Sequence, residues 1–292
     1  MEGMYMKIKT ALLALAISGI CFAQAPPSYP PGELDRLVQR IALYPDPLLA
    51  QVLSASTFAD EIPDAAKWAD QHHYLAGAAL ANAITEDQLP WDPSVQALLP
   101  FPSVLATMAA DLNWTTQLGN AVLAQRQDVM DSVQRERALS MNYGYLRSNA
   151  RVVIAREGPY ITILPVNPAF VYVPFYDPAV VFIAPRPGFA IGAAINFGFG
   201  FNLGVAFQPW GWGAVRFDWA SHGWLIHGAP WGRTWANRAV YVHNYPGLRR
   251  SDRPGVRPAG AAPHPEGHKL EERSPKERES DRTGARRQEE HR

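Results

Sequence analysis

The chain has 292 residues, with 27 Lys and Arg against 27 Asp and Glu, so it is formally neutral at pH 7. That balance offers no basic footprint for nucleic acid, and the length allows one or two domains. Its one cysteine is Cys21, which excludes intrachain disulfides and thiolate metal sites from everything downstream.

Lys7 and Lys9 precede "TALLALAISGICFA", an apolar run closed by Ala23. A basic region, an apolar region of about 7–15 residues and a small residue at the cut define a secretory signal, whereas a membrane anchor needs about 20 apolar residues. Residues 1–23 are therefore expected to be a signal peptide and 24–32 a Pro-rich linker. Ile20 is not the small residue that precedes a lipid-bearing cysteine, so Cys21 is expected to leave with the signal. An exported, cysteine-free chain fits a periplasmic or outer-membrane-associated protein.

Residues 33–147 read as a helical domain with brief loops, which favours five to seven short antiparallel helices. Leu34, Leu37, Val38, Ile41 and Ala42 follow i, i+3, i+4, i+7, i+8, one helical face. In "YPDPLL" Asp46 is placed to cap the next helix, with Pro47 at the first helical position. Trp91-Asp92-Pro93-Ser94 repeats the device. One long helix is expected from Thr116 to about Met141, its later, charged part "RQDVMDSVQRERAL" exposed. The region holds 7 Lys and Arg against 14 Asp and Glu, an acidic surface suited to solvent or to a basic protein partner.

The period changes after residue 150. "RVVIA" and "YITIL" are β-rich runs around a Glu157-Gly158-Pro159 turn, and "FVYVPFY" is a third strand candidate. Residues 150–183 form this hairpin and Pro-Tyr-Val segment. Pro165, Pro168 and Pro174 push the strands toward sheet edges, and the helical part is the expected cover for their apolar faces. Asn167-Pro168 reads as a turn into a strand. Tyr176-Asp177-Pro178 reads as a capped helical turn.

Residues 184–248 are a Gly/Trp-rich region with two readings. "GFAIGAAINFGFGFNLGVAF", residues 188–207, alternates apolar residues with small or amide ones, the period of a strand. Gly188, Gly192, Asn196, Gly200 and Gly204 also fall at every fourth residue, the stripe of a close-packed membrane helix. The Phe–Gly alternation favours the strand. Six of the nine tryptophans lie between 210 and 235. Trp210, Trp212, Trp219, Trp224 and Trp231 make a candidate aromatic platform for a sugar or a membrane interface, set against the plainer reading that they fill a small β core.

Chemistry-bearing constellations are sparse. His222, His227 and His243 have no metal-ligand spacing, and adjacent His72 and His73 cannot face one ligand on a helix. Asp60, Glu61 and Asp64 are explained by capping and the helix dipole. No nucleophile elbow or phosphate loop is present, so no catalytic residue, metal or cofactor is assigned. Residues 249–292 hold 12 Lys and Arg against 9 Asp and Glu with almost no large apolar side chains, the composition of a disordered charged tail.

"LDRLVQRIALYPDPLLAQVLSAST", "EIPDAAKWADQ", "LPWDPSVQALLPFPSVLATMAADLNWTTQLGNAVLAQRQDVMDSVQRER" and "ILPVNPAFVYVPFYDPAVVF" together resemble the bacterial family of unknown function DUF3300, over about residues 33–182. The resemblance implies an exported protein with an α-rich domain before a Pro/Tyr/Val segment, and no catalytic residues. The sequence thus predicts an α+β chain: an antiparallel helical domain, a small antiparallel β, Gly/Trp-rich region, and a disordered tail. Its expected role is non-enzymatic binding or scaffolding against peptidoglycan, envelope polysaccharide or a membrane surface. The alternatives are a membrane-associated oligomer inserting residues 188–207 and a hydrolase of envelope polymers built on Asp60, Glu61 and Asp64.

Overall fold

The computed structural model describes residues 25–185, 194–243, 245 and 248. The expected signal peptide, the start of the 188–207 run and the charged tail lie outside them.

Among the described residues eight helices come first: α1 (Pro31–Val38), α2 (Asp46–Ser56), α3 (Ile62–Gln71), α4 (Gly77–Glu86), α5 (Pro93–Gln96), α6 (Pro102–Ala110), α7 (Leu112–Ala124) and α8 (Arg126–Asn142). Proline opens α1, α2, α3, α5 and α6 within the first two positions, where no intrahelical donor is required. Asp92 caps α5 by accepting from Ser94 N at 2.9 Å, as the Trp-Asp-Pro-Ser spacing predicts, and Asp111 caps α7 through Trp114 N.

Three local readings differ from the structure. Asp46 caps nothing: Pro45 takes the cap position and the Asp46 carboxylate turns instead to Arg137. The expected long helix is two, broken at Gln125 (φ −138°, ψ 45°). There the Gln125 side chain clasps the Tyr29 backbone, accepting from its N at 2.6 Å and donating to its O at 3.2 Å. The charged stretch of α8 is not all exposed, because Glu136 and Arg137 are buried.

The β part is three small antiparallel sheets among the described residues. β1 (Val152–Glu157) and β2 (Tyr160–Pro165) form the expected hairpin, with Glu157 opposite Tyr160 and Gly158 at φ 62° in the turn. β3 (Phe170–Tyr176) pairs with β4 (Ile195–Asn202), with a register shift between Tyr172 and Pro174. Between them lies the short α9 (Pro178–Val181), which Asp177 caps through Ala179 N at 2.9 Å. β5 (Val215–Asp218), β6 (Gly223–Ile226) and β7 (Ala229–Pro230) complete the order.

The strand reading of the Phe–Gly run holds over Ile195–Asn202 but not over residues 203–207, which leave the strand in a turn, and no described helix is long and apolar enough to cross a membrane. The glycines have a local cause. A Cβ at Gly200 would lie 2.5 Å from Tyr172 Cε1 and one at Gly198 would lie 3.0 Å from Phe175 Cε2. Cross-strand aromatic rings cover both positions, the arrangement in which a ring shields an edge glycine.

Helices and strands share one core. Leu48, Leu53, Leu98 and Phe101 from the helices join Ile161, Ile163, Val171 and Val173 from the strands and Phe207, Trp212 and Trp224 from the Trp-rich region. Among the described residues no strand lies beside the outer edge of β2, so its backbone groups need other partners. Side chains of the helices supply them. Gln134 accepts from Ile161 N at 2.7 Å and donates to Ile161 O at 3.1 Å. Arg137 also donates to Ile161 O, and Asp46 accepts from Ile163 N.

Candidate functional site

The five tryptophans of the candidate platform lie at the seam between helices and strands, at 1–5 % exposure. Four of them aim their indole N–H inward. Trp210 donates to Gln96 Oε1 at 2.9 Å, Trp212 to Ala97 O at 3.0 Å and Trp224 to Ser54 Oγ at 2.9 Å. Trp219 donates to Asp46 Oδ2 at 3.4 Å. Trp231 stands edge-on to Phe58 and Tyr241. Buried indoles with satisfied donors are packing elements. The rings offer no free face for stacking on a sugar, and the plainer core reading describes their placement.

Beneath Trp219 sits a buried ion pair. Arg137 Nη1 and Asp46 Oδ1 are 2.7 Å apart, and the guanidinium carbon lies 5.0 Å from the Trp219 ring centre. The guanidinium also donates to Ala42 O at 2.8 Å, Tyr44 O at 3.0 Å and Ile161 O at 2.8 Å. Burial pushes the Asp46 carboxyl up, while Arg137 and the hydrogen bonds from Ile163 and Trp219 pull it down. With each guanidinium nitrogen partnered, this group is a junction between α2, α8, β2 and the Trp-rich region rather than a reactive centre.

A second polar cluster pins the C-terminal described residues. Glu61 accepts from Asp92 N at 2.6 Å, and burial pushes its carboxyl up to about 8. Arg233 donates to Thr57 O at 2.6 Å and Thr57 Oγ1 at 3.0 Å, with its guanidinium 3.6 Å from the Phe58 ring centre. Arg126 donates to Trp231 O at 2.8 Å and also to Arg233 O. His243 meets the Tyr241 hydroxyl at 3.0 Å, and burial holds its pKa down to about 4.

Of the carboxylates of the hydrolase reading, Glu61 is turned inward to Asp92 N, while Asp60 and Asp64 are exposed. The three C-terminal histidines have separate partners: Asp131 for His222 at 3.0 Å, Pro209 O for His227 at 3.3 Å, and Tyr241 for His243. Among the described residues no group of three His, Cys, Asp or Glu is placed to hold a metal.

The feature sequence reasoning missed is a groove of about 610 Å³. The α3–α4 connection supplies His72, His73 and Leu75, the α5–α6 connection Leu99, and the end of β4 with its following turn Phe201 and Val205. Its walls are mostly apolar. His72 Nδ1 lies 2.8 Å from Trp68 O and His73 Nδ1 2.5 Å from Asp70 O, which orients both rings at the rim. Outside the walls, Tyr74 is 71 % exposed, and Val205 at the rim is 76 % exposed. A concave, mostly apolar cleft of this size with a few polar groups at its edge suits binding. It has no nucleophile–base pair for chemistry. Residues so far apart in sequence give a single-sequence reading no signal for it.

Comparison with known proteins adds relatives but no activity. No solved structure matches. A protein of Escherichia coli (strain K12) described as "Uncharacterized protein YacH" is 33 % identical over 219 residues, an alignment covering 60 % of this chain and 35 % of that relative. The chain thus spans about a third of the length of the curated relative it matches. The model of the family described as "Protein of unknown function (DUF3300)" matches residues 30–242, which takes in the helices, the three sheets and the groove. The chain belongs to the DUF3300 family.

Proposed function

We propose that this is an exported, non-catalytic binding protein of the cell envelope. It engages apolar chains at a membrane surface through the groove between the α3–α4 connection and the end of β4. The observation that carries this reading is the groove itself. Leu75, Leu80, Leu99, Phe201 and Leu203 line it, with His72, His73 and Asn202 as its polar residues. Apolar walls gain about 25 cal/mol for each Å² removed from water, so they favour an aliphatic chain over a hydrated sugar. Burial of the five tryptophans shifts support away from sugar stacking. The basic N-terminal run before an apolar stretch supports export to the periplasm or outer membrane.

Flotation with phosphatidylethanolamine–phosphatidylglycerol vesicles, run beside sedimentation with purified peptidoglycan sacculi, tests the reading. Vesicle binding that weakens in Val205→Asp is the expected result. Val205 is a surface residue, so that change tests contact rather than folding. Binding to sacculi with none to vesicles would overturn the apolar-chain reading and restore the peptidoglycan one. Fractionation of cells making the full chain tests export; protein confined to the cytoplasm would overturn it.

A further inference from the structure

The groove between the α3–α4 connection and the end of β4 has a polar end. His72 and His73 stand there, followed by Ala76, Gly77 and Ala78, which lead into α4. Both rings are held in one tautomer. His72 Nδ1 donates to Trp68 O at 2.8 Å and His73 Nδ1 to Asp70 O at 2.5 Å. A carbonyl oxygen can only accept, so each Nδ1 carries a proton and each Nε2 is the nitrogen left to meet a ligand. The His72 ring is also stacked on Trp68, with 3.9 Å between centres and 18° between planes. Its position is set before anything binds, which lowers the ordering cost of binding.

The chemistry of this end selects a headgroup. None of the described residues lining the groove is Asp, Glu, Lys or Arg, so a cationic group finds no counter-charge in its walls. An acid is better matched. It can place its proton on Nε2, and the carboxylate or phosphate oxygen that gave it up then accepts from the new N–H. The positive charge on the ring meets the carbonyl groups at the C-terminal end of α3, which already hold Nδ1 and favour a cation. α4 acts in the same sense. Its first turn follows the two histidines closely in sequence and has no side-chain cap, and the N-terminal end of a helix favours an anion. Leu80, Leu99, Phe201 and Leu203 offer the rest of the ligand hydrocarbon contact.

We infer that the groove takes an amphiphile with one aliphatic chain and an acidic end, a carboxylate or a phosphate, the acid on His72 and His73 and the chain along the apolar walls. This rests on the apolar-chain reading of the groove and adds the headgroup to it. A volume of about 610 Å³ falls within the range of pockets for single small ligands, about 300–1,000 Å³, so the occupant is one molecule rather than a patch of bilayer.

Calorimetric titration of the full chain with decanoate, decyl phosphate, decanol and decyltrimethylammonium, each below its micelle concentration, tests the assignment. At least one of the two acids should bind about tenfold or more tighter than decanol, the order expected when a charge-assisted hydrogen bond replaces a neutral one. The tighter of the two identifies the source of the acid. Decyltrimethylammonium should bind no better than decanol. His72→Leu combined with His73→Leu keeps the groove apolar, so it should bring the acids down to the level of decanol and leave decanol itself unweakened. A merely structural role of the two rings would weaken all four probes alike. His73→Leu alone, at an exposed position, should lose part of the acid preference without disturbing the fold. Equal affinity for acid and alcohol, or an acid preference that survives both variants, overturns the headgroup assignment and leaves the apolar-chain reading in place. No binding by any of the four probes overturns both.

Discussion

Replacing Arg137 with Met tests the junction that joins helices to strands. The guanidinium makes one ion pair, at 2.7 Å, and three bonds to backbone carbonyls, at 2.8–3.0 Å, with no exposure to solvent. Breaking a buried pair from one side costs about 3–5 kcal/mol because the other charge is stranded. Ala42 O and Tyr44 O also lose a donor, at about 1 kcal/mol each. Relief comes from Asp46, which can take up a proton, so the sum settles near 4–6 kcal/mol. Against a total stability of about 5–15 kcal/mol that is a large share. At about 2–4 °C per kcal/mol for a folded unit of this size, the melting temperature should fall by roughly 10–20 °C.

Two readouts separate this from ordinary loss of packing. Asp46 is easier to neutralise in acid, so the deficit should be smaller at pH 5 than at pH 7. Asp46→Asn should recover part of it, because an amide oxygen still accepts from Ile163 N. Thermal denaturation followed by circular dichroism at both pH values measures all three variants. A melting temperature within about 3 °C of the parent, or a deficit unchanged by pH, would refute the view that a satisfied buried ion pair secures this junction.

Stability should also fall between pH 6.5 and 8 because of Glu61. Its folded-state pKa is raised to about 8, so the unfolded chain loses its proton first, and the stabilisation present below the ordinary carboxyl pKa fades as pH rises to 8. His243, held down to about 4, acts in the opposite sense. Its contribution is complete above its ordinary pKa of 6.5 and is lost as pH falls toward 4, so the two slopes offset each other in mild acid. Glu61→Gln should flatten the alkaline decline in urea titrations, though not remove it, because Glu136 is raised to about 7; an unchanged slope would count against the assignment. Gly119→Ala should cost at least about 2 kcal/mol, because a Cβ there overlaps Ser56 O where α7 crosses α2. Gly32→Ala, with nothing within 4 Å, should be neutral or slightly stabilising, and equal denaturation midpoints for the two would contradict the close crossing. Trp224→Ala should cost about 3–5 kcal/mol, visible as a lower melting temperature.

Much of this fold is readable wherever the cause is local. Asp92 and Asp177 cap their helices because cap, proline and first turn are sequence neighbours. The Phe–Gly alternation reads as a strand because its period is set by the pleat. Asp46 has the same local signature as Asp92 but a different fate, since Arg137 arrives from α8 and accepts its charge. Gln125 is a good helix former that ends a helix, because Tyr29 offers its backbone there. The buried half of α8 was hidden for the same reason: polarity suggested water, while β2 supplied an edge in need of donors. The groove depends on three connections meeting in space, and neither composition nor period carries that information.

The placement of Arg233 has a kinetic consequence. It grips Thr57 across 176 positions of the chain, and Trp224 reaches Ser54 across 170. Such distant closures make folding slow, because loop entropy is lost before the contacts repay it. As the chain emerges from synthesis, the helices can form early but cannot finish their core until residues 210–233 have followed. A nascent chain cut short of that stretch should therefore stay loose and protease-sensitive, its helices still waiting for their tryptophans.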